Sequence, residues 1–84
     1  MTWESFLYWD ERQDVARADA SIKWLMERLA DDIARGDHAM AAWVTEKVMA
    51  RKWHRQQIIN RGSARKRLHE LRGGRQPRPY RKAA

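Results

Sequence analysis

The sequence predicts an all-α fold: an antiparallel helical hairpin, dimerising into a four-helix bundle, with a short basic helix and a disordered basic tail. Three observations carry this expectation. Residues 3–35 and 37–61 contain no Gly or Pro and are rich in Ala, Arg, Glu, Met and Leu, which favour helix. Arg35-Gly36-Asp37 separates the two stretches. Gly36 suits the left-handed position that ends a helix, and Asp37 suits the cap of the next. Finally, apolar residues recur at helical spacing on both stretches, and on two faces of each.

Helix 1 is expected over about residues 3–35. Val15, Ala18, Ile22, Leu25 and Leu29 are spaced by three and four residues, and Met26 and Ile33 widen the stripe. Asp14–Arg17, Asp19–Lys23 and Asp31–Arg35 stand at i,i+3 or i,i+4 on its flanks, the spacing of helical ion pairs. Phe6, Trp9, Ala16, Ala20 and Trp24 line the opposite face if the helix runs back to Thr2. A break near Asp10-Glu11 would instead let the N-terminal turn fold back as a separate piece.

Helix 2 is expected over about 38–61. Met40, Ala41, Val44, Val48, Ile58 and Ile59 form one face, interrupted by Arg51 and Arg55. Ala39, Ala42, Trp43, Met49, Ala50 and Trp53 form another. A short connection makes the helices antiparallel neighbours, and residues 1–62 form the hairpin. A hairpin buries one face of each helix. The second faces therefore call for a further surface: a second copy, a host protein, or the N-terminal segment packing back. A homodimeric four-helix bundle is the simplest solution.

The pattern changes at Arg61-Gly62-Ser63, which reads as a helix break. Residues 63–84 form a basic arm: a short helix over about 64–72, capped by Ser63, and a flexible tail over 73–84 with Pro77 and Pro79.

The chain has 84 residues, enough for one domain. A domain of this size buries only about 60–65% of its unfolded surface. With no cysteine, disulfides and thiolate metal sites cannot supply the missing stability. No apolar run approaches the ~20 residues of a membrane span. Residues 1–5 lack a basic stretch before an apolar run, so no secretory signal is expected and a cytoplasmic location is.

Charge is the strongest functional signal. Residues 1–50 hold six Lys/Arg and ten Asp/Glu; residues 51–84 hold twelve Lys/Arg and one acid, Glu70. An acidic body with a basic arm points to a polyanionic partner: nucleic acid or an acidic protein surface. Arg65, Lys66, Arg67 and Arg72 crowd the short helix, and Arg75, Arg78, Arg81 and Lys82 follow with Tyr80 among them. Arg51, Lys52, Arg55 and Arg61 extend the positive surface onto helix 2. Such residues give salt-sensitive phosphate contacts, and Tyr80 can stack on an unpaired base. A solubilising or protein-docking tail has the same composition.

Phe6, Trp9, Ala20, Trp24, Trp43, Met49 and Trp53 are the candidate protein-interface residues, since interface cores favour Trp and Met. Trp53 fits a packed core equally well. Trp24 has Arg17, Arg28 and Asp31 around it on the helical wheel, which a core inside one hairpin does not explain.

No constellation for catalysis stands out, and a non-enzymatic protein without cofactor is expected. His38, His54 and His69 are far apart, and none lies i,i+4 from another. Asp31, Asp32, Asp37 and His38 cluster at the turn, where capping and solvated charge explain them without a metal. No nucleophile elbow, P-loop or dinucleotide fingerprint is present. Gly73-Gly74-Arg75 is similar to arginine–glycine RNA-binding segments. The short, cysteine-free, arginine-rich, tailed chain also looks like the small accessory proteins of phages and mobile elements. That resemblance implies binding and inhibition or redirection of a host protein.

Overall fold

The computed structural model describes residues 2–73. A 3₁₀ turn, Trp3–Phe6, precedes two α-helices: α1, Trp9–Ala34, and α2, His38–Leu71. The protein is all-helical. No described helix is long and apolar enough to cross a membrane.

The hairpin turn is built by short-range contacts. Gly36 has φ +73°, a left-handed conformation that strains other residues. Asp37 then caps α2, its Oδ1 accepting from the Met40 N–H at 3.1 Å. Leu25, Val44 and Val48 form the core patch beside this turn, with Leu29 and Met40 packed against it.

The other end differs from the sequence expectation in two ways. Helix 1 does not run from residue 3. Leu7 and Tyr8 are extended, so the N-terminal segment turns back before α1 begins. The Tyr8 N–H donates to Glu11 Oε1 at 2.9 Å, which satisfies one of the free donors at the start of α1.

Nor does helix 2 break at Arg61-Gly62-Ser63. α2 continues through Gly62 to Leu71 as one helix of 34 residues, roughly 51 Å long. The separate helix over 64–72 does not exist. Gly62 serves another purpose: a Cβ there would lie 2.7 Å from the Trp3 carbonyl oxygen and 2.9 Å from Leu7 Cδ2. The bare glycine is a notch on α2 that admits the N-terminal backbone. The ~1 kcal/mol that a glycine costs a helix is offset by this packing.

The segment docked there completes the second core patch, Leu7, Val15 and Ile58, with Trp3 packed against it. Phe6 is fully buried, and its ring centre lies 5.5 Å from that of His69. Phe6 is thus core, not the interface residue expected, because the segment folds back instead of extending α1. Met26 and Ile33, expected to widen the buried stripe, are exposed. Gly73, at φ +91°, follows the end of α2. Residues 74–84, including the expected tail with Arg75, Arg78, Tyr80, Arg81 and Lys82, lie outside the described residues.

Candidate nucleic-acid and protein interfaces

The basic residues from Arg51 to Arg72 fall into two groups. Four are engaged within the chain. Arg55 Nε pairs with Asp19 Oδ1 at 2.6 Å, and Lys66 pairs with Glu70 at 3.1 Å. Arg61 stands 3.8 Å from Glu11. Arg65 is the most committed: its guanidinium donates to both Glu11 carboxylate oxygens and, at 2.9 Å, to the Phe6 carbonyl. It also lies over the Tyr8 ring, 4.3 Å from its centre. Arg65, expected to face a polyanion, instead holds the N-terminal segment in place.

Glu11 is buried at the centre of this network. Burial pushes its carboxyl upward, but the hydrogen bonds from Arg65 and the Tyr8 N–H, with the charges of Arg65 and Arg61, outweigh it and leave its pKa below the ordinary glutamate value.

The second group is Arg51, Lys52, Arg67 and Arg72. All four are exposed, and none pairs with a carboxylate among the described residues. They point in different directions around α2. Such a distribution surrounds the end of the helix with positive charge and does not line a groove. It suits contact with flexible or sequence-unrelated phosphates better than reading of bases.

The apolar candidates lie elsewhere. Trp9, Trp24, Trp43, Met49 and Trp53 are all at least half exposed, and Ala20 is exposed. Among the described residues nine large apolar side chains are exposed, against eight buried hydrophobic residues of which none is Trp, so the hairpin leaves much of its apolar surface uncovered. Two exposed residues, Leu68 and Leu71, were not among the expected interface residues. The expected break at Gly62 hid their alignment with Trp43 and Trp53 along one uninterrupted helix.

Two hollows mark this surface. One, of about 460 Å³, lies beside the turn and is lined by Trp24, Arg28, Asp37, Ala39, Met40 and Trp43. Arg28 lies over the Trp24 ring at 5.9 Å, and Lys47 over the Trp43 ring at 5.3 Å, so the aromatic walls carry cations. The other, of about 540 Å³, is lined by Asn60, Ser63, Ala64, Arg67, Leu68 and Leu71.

At the turn, Asp32 is fully buried and paired with Arg35, not solvated as the sequence suggested. Arg28 Nε stands 3.9 Å from Asp32 Oδ2, too far for a hydrogen bond, and both atoms are buried without a hydrogen-bond partner. Among the described residues, no three His, Cys, Asp or Glu side chains gather where a metal ion would be held.

No protein-family model, curated protein or solved structure matches this chain.

Proposed function

We propose that this chain is a non-catalytic, cytoplasmic binding protein that pairs with itself and contacts nucleic acid through its basic end. That end comprises α2 from Arg51 onward and the Arg- and Lys-bearing residues that follow. One observation carries the reading: Arg51, Lys52, Arg67 and Arg72 stand exposed between the middle of α2 and its C-cap, without carboxylate partners among the described residues. Unpaired cations are available to displace counterions from phosphate, and the four further cations of residues 75–82 continue the charge. Arg65 takes no part, being occupied with Glu11. Arg55 and Arg61 contribute less than their number suggests.

Fluorescence anisotropy with labelled single- and double-stranded oligonucleotides tests this. The expected result is a linear fall of log affinity with log salt, and an Arg72→Ala slope shallower by roughly 0.7–0.9, the share of one phosphate contact. Salt-independent binding, or none at low salt, defeats the reading.

A specific observation favours a second reading. The hollow between Trp24 and Trp43 is mostly apolar, is rimmed by Arg28, and suits an apolar side chain of a partner protein. Under that reading Trp24→Ala abolishes activity and Arg72→Ala is tolerated.

A further inference from the structure

We infer that the face of α2 turned away from α1 is a self-association seam, on which a second copy packs α2 against α2, antiparallel and in full overlap. The inference rests on the proposal that the chain pairs with itself. It replaces the expected four-helix bundle with a flat layer of four helices, the two α2 helices central.

The spacing along α2 comes first. Ala39, Trp43, Glu46, Ala50, Trp53, Gln57, Asn60, Ala64, Arg67 and Leu71 alternate steps of four and three residues from one end of the helix to the other. That is the repeat of a two-helix seam. Nine of the ten are exposed and Gln57 is half-buried, whereas Val44, Val48, Ile58 and Gly62 on the opposite face are buried against the rest of the chain.

Charge then sets the direction. A parallel pair would place Glu46 against Glu46 and Arg67 against Arg67, and would bring two arms of eight cations each side by side. An antiparallel pair separates the arms. In full overlap Ala39 meets Leu71 of the second copy, Trp43 meets Arg67, Glu46 meets Ala64, Ala50 meets Asn60, and Trp53 meets Gln57. No layer brings two like charges together. Trp43 gains a cation over its ring, and Glu46 comes within reach of Arg67. The hollow around Ala64 receives the side chains that the second copy presents from near Trp43.

Size sets the register. The stripe is roughly 48 Å long and ~10–12 Å wide. Its footprint of roughly 480–580 Å² is smaller than the ~800 Å² per partner of a standard interface, so the register that uses it from end to end is the one favoured. The consequence for the proposed function is geometric. The two basic ends lie at opposite ends of a rod, so the pair can bridge two nucleic-acid segments.

Cysteine cross-linking of the full chain, with sedimentation, tests the seam. The chain has no native cysteine, so each introduced thiol reports alone. A mixture of Glu46→Cys and Ala64→Cys chains is expected to form disulfide-linked pairs, and neither variant alone to do so. Trp53→Glu, whose site is two-thirds exposed within the chain, is expected to raise the dissociation constant at least ~30-fold with helicity unchanged. Cross-linking of Glu46→Cys chains alone would overturn the antiparallel direction. A sedimenting pair that the mixture fails to cross-link would overturn the seam and leave self-association standing. A folded monomer at high micromolar concentration would overturn both, and the anisotropy titration would still judge nucleic-acid binding separately.

Discussion

The two ends of the hairpin are closed by different physics. At the turn, Gly36, Asp37 and the patch of Leu25, Val44 and Val48 close the structure with residues near in sequence. At the other end, the patch of Leu7, Val15 and Ile58 depends on a segment docked from afar. A glycine notch admits that segment, and an arginine–glutamate network holds it. The first end is shape and local backbone. The second is long-range and ionic, and therefore sensitive to pH and to single polar substitutions.

Removing the ionic clamp has the largest expected effect. Arg65→Ala leaves Glu11 buried without its main partner and frees the Phe6 carbonyl. A loss of about 2–3 kcal/mol is expected, since a buried polar group left unpaired bears most of the cost. Thermal melts measure the loss. Hydrogen exchange locates it at residues 3–8, with protection around Gly36 retained.

Glycine substitutions sharpen the contrast. At Gly62 an added methyl meets the Trp3 backbone, and Gly62→Ala should destabilise by about 1–2 kcal/mol despite its better helix propensity. At Gly36 an added methyl meets nothing within 4 Å. There the cost is the left-handed φ alone, about 1 kcal/mol. Adding a second change separates them: Gly62→Ala costs little in an Arg65→Ala background, where the segment is already loosened, and Gly36→Ala costs the same in both.

Acid has the smallest effect and the clearest sign. Glu11 is held below its ordinary pKa, so its contribution is complete above about pH 4.3, the ordinary glutamate value, and is lost as pH falls through the lower folded value. Denaturant midpoints measured from pH 6 downward should fall more steeply for the native chain than for Glu11→Gln.

The same contrast explains what the sequence reveals. Gly36-Asp37 is legible because capping and turn chemistry are local. The buried stripe through Val15, Ala18 and Leu25 is legible because helical spacing records it. Gly62 was misread because a glycine that admits a neighbouring backbone has the same letter as one that ends a helix. Arg65 was misread for a related reason. Its partner lies 54 residues away, and composition counts a clamped arginine as a free one. The break at Leu7-Tyr8 has no glycine, proline or short polar cap to announce it; Glu11, three residues on, supplies the bond. Among the interface candidates, the exposed tryptophans follow from there being more apolar faces than one hairpin buries. Leu68 and Leu71 join them only once α2 is known to continue.

The claim that the two ends have different tasks is tested most directly by neutralising each in turn. One variant replaces Arg72 and Arg75, at the basic end, with Ala. The other replaces Arg35 and Lys47, at the turn end, with Ala. Affinity for an oligonucleotide is measured for both at one low salt concentration, with helicity checked by circular dichroism. The account predicts a loss of at least ~100-fold for the first and less than ~3-fold for the second. Equal losses, or a larger loss at the turn end, would contradict it.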